Sequence, residues 1–163
     1  MFYVDILREF QKQKLDFMVV GGTAFNLLGG MRSTQDLDIV VRLEDKNILK
    51  AVDVLVKKGY KPRQPVDPFD FADSVKRNNW IKNKHMKALN FYKDIRSYES
   101  VDIIVDYPIG FEKMKKSAVV MTVDKIKIPV VSIDDLIKMK QEAGRPIDKI
   151  DVEQLKIIKR LNR

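Results

Sequence analysis

The sequence contains no cysteine, one histidine and one tryptophan among 163 residues. Without cysteine there can be no disulfide, no thiolate metal site and no cysteine nucleophile. A lone histidine excludes histidine-rich metal centres. Long hydrophobic runs are missing as well. The longest uncharged stretch, Phe17 to Met31, is broken by Gly21-Gly22, Asn26 and Gly29-Gly30, too short and interrupted to cross a bilayer. The N-terminal segment, Met1 to Lys14, alternates charged and apolar residues and has no signal-peptide core. A cytoplasmic location is the simplest expectation. No repeat, low-complexity tract or linker divides the chain, so residues 1–163 are expected to form a single domain, with a helical C-terminal part from about residue 132.

Apolar residues make up 45% of the sequence, enough for a core, and charged residues 33%. The net charge is +8; the first 43 residues carry five groups of each sign, so the whole surplus lies beyond them. Such a field attracts polyanions, nucleoside triphosphates or nucleic acid, unless the lysines are simply solvated helix faces.

Phe2, Ile6, Leu7 and Phe10 have helical spacing over residues 2–14, and Phe17 to Val20 reads as a buried strand stopped by Gly21-Gly22. A short helix over Thr23 to Leu28 and a strand over Leu37 to Leu43 follow. Glu44 to Lys58 carries Ile48, Val52, Leu55 and Val56 on one helical face. Pro62, Pro65 and Pro68 make residues 60–70 a loop or sheet edge, with a short helix around 68–77. Strands at Met86 to Tyr92 and Val101 to Val105, a helix at Phe111 to Ala118 and a hairpin turning near Asp124-Lys125 come next. Helices over Ile133 to Ala143, capped by Ser132 and ended by Gly144, and over Ile150 to Leu161 close the chain. The fold class is α/β (α+β), and the hairpin calls for a mixed sheet flanked by helices.

The chemistry concentrates between Val19 and Val41. Strand alternation puts Asp36 and Asp38 on one face and Leu37, Ile39 and Val41 on the other. Two carboxylates about 4 Å apart repel by roughly 4 kcal/mol at an effective dielectric near 20. A fold gains from holding them together when a cation sits between. Hard oxygen donors without histidine or cysteine favour Mg²⁺ or Mn²⁺. Upstream, Gly21-Gly22-Thr23 ends a strand and opens a helix, where backbone N–H groups and the helix dipole suit a phosphate and Thr23 offers a hydroxyl.

With Arg32-Ser33-Thr34-Gln35-Asp36-Leu37-Asp38 behind it, this turn resembles the signature of the DNA polymerase β-type nucleotidyltransferases, more closely their small prokaryotic branch of AbiEii-like toxins and minimal nucleotidyltransferases. Gly22 stands where serine is commoner in the superfamily. The resemblance implies a third carboxylate on a later strand. Val101-Asp102-Ile103-Ile104-Val105-Asp106 offers two, of which Asp102, embedded in the apolar run, is the choice over Asp106 at the strand's end. It also implies a lysine ahead of Gly144-Arg145-Pro146-Ile147-Asp148: Lys138, with Lys140 further round the helix. Arg145 and Asp148 could equally form a structural ion pair.

The reading that follows is metal-dependent transfer of a nucleotide from a nucleoside triphosphate to an acceptor hydroxyl on a tRNA, a protein or a small molecule. Asp36, Asp38 and Asp102 would hold Mg²⁺, Gly21, Gly22 and Thr23 would cradle phosphates, and Arg32 or Lys138 would assist. A toxin-like protein implies a cognate partner protein. The alternatives are a non-catalytic regulatory or antitoxin-like module on the same scaffold, or a basic RNA-binding domain. For the last, residues 76–96 interleave Lys76, Arg77, Lys82, Lys84, Lys87, Lys93 and Arg96 with Trp80, His85, Phe91 and Tyr92. The competing reading makes Trp80 and Phe91 core and His85 a bystander.

Overall fold

The first strand, β1 (Phe17–Val19), is three buried residues, and its hydrophobic neighbours dictate the architecture around it. The computed structural model describes residues 3–94, 96 and 98–162; Phe2 lies outside them. Before β1, helix α1 (Tyr3–Lys12) buries Val4, Ile6, Leu7 and Phe10, and Phe10 meets Phe17 edge-on with ring centroids 5.4 Å apart. After it come α2 (Gly21–Leu27), β2 (Asp36–Val41) and α3 (Asp45–Lys57). β2 keeps Leu37 and Ile39 at 0% exposure, each contributing roughly 1.5–3 kcal/mol by leaving water.

The proline-rich segment forms a two-residue edge strand, β3 (Lys61–Pro62), then a 3-10 turn at Pro68–Ala72 and α4 (Ser74–Asn83). The helix expected around 68–77 is therefore two pieces. Asp67 and Asp73 each cap a new start, and Pro68 sits in the first turn of the 3-10 piece. Only Arg77 and Trp80 of α4 are buried, so the helix presents no apolar stripe from which its length could be read.

β4 (Ala88–Tyr92), β5 (Ser100–Ile104), α5 (Phe111–Ser117) and the hairpin β6 (Val119–Val123) to β7 (Ile126–Val130) follow. Asp124 and Lys125 both have positive φ, the conformation a tight two-residue hairpin turn demands. α6 (Ile133–Ala143) begins at Ser132, whose hydroxyl accepts the Asp135 N–H, and ends at Gly144. α7 (Pro146–Leu161) starts four residues before the expected Ile150, because Pro146 opens it and the Asp148 carboxylate accepts the Arg145 backbone N–H at 3.2 Å.

Among the described residues seven strands form one mixed sheet in the order β3-β4-β5-β2-β1-β7-β6. β2 pairs antiparallel with β1 and parallel with β5; β1 pairs parallel with β7, and the remaining pairs are antiparallel. A parallel β2–β5 pair needs a long crossover, and it brings Asp102 beside a strand that ended some sixty residues earlier. Among the described residues no helix is long and apolar enough to cross a membrane.

Candidate active site

In the β2–β5 register Asp36 lies opposite Ser100 and Asp38 opposite Asp102. Neighbouring strands run about 4.8 Å apart, and residues two apart share a face, so the three aspartates emerge together. Their alternate neighbours Leu37, Ile39, Val101 and Ile103 are fully buried on the reverse face.

Burial and the facing Asp102 charge, with a further push from Asp36, raise the Asp38 carboxyl to about 6. The Gly22 N–H, donating to Asp38 Oδ2 at 3.3 Å, and the Arg145 charge oppose this without cancelling it. Asp102 is also raised, by burial first and the Asp36 charge second; an Asn90 hydrogen bond and Arg63 work the other way. Asp36 is exposed and accepts the Ser100 hydroxyl. Among the described residues no three His, Asp or Glu side chains already form a cage for an ion. The donor set nevertheless suits a hard divalent cation, for it is all carboxylate oxygen, and two of its members are raised, by burial first and by a neighbouring carboxylate as well.

The glycine turn is fitted to this pair. Gly21 has φ +62°, and a Cβ there would fall 1.9 Å from Asp38 Oδ2. A Cβ on Gly22 would meet Thr34 Oγ1 at 2.5 Å and the Arg32 guanidinium at 3.0 Å. Thr23 behaves differently from the expected phosphate donor. It is buried, and its hydroxyl donates to the Asp36 carbonyl at 3.0 Å, tying α2 to the start of β2.

A cleft of about 530 Å³ opens over the carboxylates, with Gly21, Asp38 and Asp102 on the sheet side and α6 and α7 opposite. Of the two α6 lysines, Lys140 reaches the cleft and Lys138, the one expected to assist the triphosphate, does not. Lys138 is exposed beside Asp135 at 3.7 Å and does not line the cleft, whereas Lys140 lies 200° further round the helix and does. Lys140 is 4% exposed and bonds Asp151 at 2.6 Å, with Asp148 at 3.6 Å and the Phe25 ring below. Arg145 grips Asp148 through two hydrogen bonds, 2.7 and 3.1 Å, at the cleft wall. Arg32 lies beside the glycine turn but outside the cleft lining; its Nε donates to Asp151 at 3.1 Å.

The family described as "Nucleotidyltransferase of unknown function (DUF6036)" matches residues 4–163. The chain belongs to this family. The match stops at nucleotidyltransferase and does not name the AbiEii-like branch. No curated protein sequence matches the chain. Among solved structures it is similar to the lincosamide antibiotic adenylyltransferase LnuA (19% identity, TM-score 0.62, covering 96% of this chain and 94% of that one). It is also similar to ANT(2″)-Ia (14%, 0.59, 94% and 84%) and to an antigenic nucleotidyltransferase-like protein from Paracoccidioides brasiliensis (15%, 0.55, 96% and 72%). At these identities the likeness is one of fold.

Elsewhere in this nucleotidyltransferase the basic, aromatic stretch offers few stacking platforms. Trp80 and Phe91 are buried, Trp80 stacking on Phe71. Arg77, 4% exposed, is held by the Phe71 and Leu43 carbonyls and Asp45. His85 is exposed and does not line the cleft. Two polar residues escaped sequence reasoning. Gln64 donates to Asn90 Oδ1 at 2.7 Å, and Asn90, opposite Asp102 in the β4–β5 register, gives its hydrogen bond to that carboxylate. Only the strand register, set by antiparallel pairing, reveals them.

Proposed function

We propose that this protein is a Mg²⁺- or Mn²⁺-dependent nucleotidyltransferase that moves a nucleotide from a nucleoside triphosphate to a hydroxyl of a small-molecule acceptor. The observation that carries the reading is the facing pair Asp38–Asp102, joined by Asp36 on the same sheet face and packed against the Gly21 turn. Asp36, Asp38 and Asp102 would hold the metal, which when bound supplies charge neutralisation at the triphosphate and the reacting oxygens. Asp36 joins by turning from Ser100. The acceptor oxygen forms its bond to the α-phosphorus as the α–β bridging bond breaks and pyrophosphate leaves.

Asp102 takes the acceptor proton. Its raised affinity for a proton fits that role, and the Gln64–Asn90 chain fixes the carboxylate's orientation. Gly21 and Gly22 let a polyphosphate approach the backbone. Arg145, on the cleft wall and within electrostatic reach of Asp38, supplies positive charge toward the leaving group. Lys140 holds Asp148 and Asp151 in place beneath it.

The cleft supports this acceptor class. Its volume is that of a drug-sized ligand site, and Ile104, Tyr107, Leu136 and Met139 give it apolar walls. LnuA and ANT(2″)-Ia are described with lincomycin and adenylyl-2″-tobramycin, which supports a small hydroxylated acceptor here. A tRNA end, a protein hydroxyl or a cognate partner of the AbiEii-like kind draws on no feature of these walls. The test is pyrophosphate release from ATP, CTP, GTP and UTP with Mg²⁺ or Mn²⁺, against panels of small hydroxylated compounds and RNA. Metal-dependent turnover with a small acceptor, abolished in Asp38→Asn, is the expected result. Triphosphate binding without turnover would point to a regulatory module, and salt-sensitive RNA binding indifferent to Asp38→Asn to an RNA-binding domain.

A further inference from the structure

α7 buries Asp148, Asp151, Val152 and Leu155 against the rest of the fold. On its outer side Ile147, Ile150, Ile157 and Leu161 are 40, 57, 54 and 80% exposed. With Gln154 these residues follow one another in steps of three, four, three and four, which is the seam of a coiled coil. Scattered surface isoleucines would be ordinary. An aligned series along a 16-residue helix is a face that another helix fits.

The flanking charges identify that helix. Glu153 and Arg160 lie seven residues apart on one side of the seam, both exposed. A second α7 crossing in the antiparallel sense, about a two-fold axis level with Lys156, brings Glu153 to the partner's Arg160 and Arg160 to the partner's Glu153. A parallel arrangement aligns Glu153 with the apolar flank at Ile158 and forms neither pair. Glu153 now bonds Lys156 within the helix at 2.7 Å, an exposed contact that is cheaply exchanged.

The adjoining loop adds surface. Gly29 packs against Ile158 and Arg32 bonds Asp151, so Met31, held between two anchors to α7, is 88% exposed beside it. Ile150 and Ile157 lie 160–180° round the helix from Asp148, which lines the cleft, so pairing on the seam leaves both clefts open.

We propose that the Ile147–Leu161 seam of α7 docks antiparallel on α7 of a second copy of this chain, forming a two-fold dimer. The claim does not depend on the catalytic reading. Sedimentation velocity of the full chain without nucleotide, across a hundredfold concentration range, should show a concentration-dependent dimer. Ile150→Glu with Ile157→Glu should leave a monomer with unchanged circular dichroism. Glu153→Arg alone and Arg160→Glu alone should each weaken dimerisation about tenfold, and the double charge exchange should restore it, which a merely structural role would not do. A wild type that stays monomeric at the highest concentration overturns the proposal, even if another protein occupies the face. So does a dimer that survives Ile150→Glu with Ile157→Glu, or single charge reversals that are not rescued by the exchange.

Discussion

The cleft side of β2 and β5 and the junction of α6 with α7 both bury aspartates, and they treat them in opposite ways. At the junction Asp148 and Asp151 are almost wholly buried, yet Lys140, Arg145 and Arg32 surround them. Burial works against the Asp148 charge, but the Arg145 hydrogen bonds and the Lys140 charge overcome it and hold the carboxyl below its ordinary range. On the sheet, Asp38 is less buried but faces another carboxylate, and it rises to about 6. Depth of burial therefore does not mark the site. What marks it is negative charge that the protein's own cations leave uncompensated.

The comparison breaks first at its active end. Asp38→Asn removes a carboxylate oxygen from the proposed metal site and is expected to lower nucleotide turnover by about a thousandfold or more, while leaving the melting temperature at pH 7 unchanged or higher. Turnover and melting measured on the same preparation check both halves. A variant that lost activity because it unfolded would not support the assignment. At the other end, Lys140→Met fills the same space but leaves Asp148 to Arg145 and Asp151 to Arg32. We expect a loss of about 1.5–3 kcal/mol in urea unfolding, with the slope unchanged.

The contrast also explains what the sequence disclosed. Asp36 and Asp38 could be placed on one face because strand alternation is local, and Gly144 and Ser132 bounded α6 because caps are local. The resemblance called for a third carboxylate, the surrounding apolar run chose Asp102 over Asp106, and the parallel register then put it opposite Asp38. Lys138 and Lys140 are both helical lysines two residues apart. Which of them enters the cleft depends on how α6 seats against α2 and α7, a tertiary fact that spacing does not contain. Thr23 looked like a phosphate ligand because a hydroxyl after two glycines has that chemistry; the close approach of β2 gives it the Asp36 carbonyl instead. Asn90 and Gln64 gave no signal at all, since neither stands in a motif.

A pH series sharpens the comparison. Asp38 is raised in the folded state from 3.8 to about 6, so the folded protein binds that proton more tightly than the unfolded chain. Its charge therefore destabilises the metal-free fold progressively as pH rises from about 4 to 6, and fully above 6, by up to about 3 kcal/mol. Asp148 runs the other way: its stabilisation is present above the unfolded value and fades as pH falls through the lowered one. Without metal, Asp38→Asn should exceed wild type in stability at pH 7, and the gap should close by pH 4. In wild type, Mg²⁺ affinity should climb through pH 6, with proton release visible by calorimetry in buffers of different ionisation enthalpy.

The smallest expected effect falls on the link between the two strands that carry Asp102 and its orienting amide. Asn90→Ala deletes the hydrogen bond that lowers Asp102 while leaving burial and the Asp36 charge, which raise it. Asp102 then holds its proton to higher pH, and the acid limb of the pH–rate profile should move the same way. A hydrogen bond to a charged group contributes about 1.5–3 kcal/mol, part of which water will replace at a half-buried site, so turnover at pH 7 should fall about tenfold or less. Because the cause is protonation, raising the pH should restore most of the lost rate. Gln64→Ala, acting one bond further out, should give the same shift in weaker form. A drop in rate that is the same at every pH would mean that Asn90 contributes packing alone and that Asp102 is not the group accepting the proton.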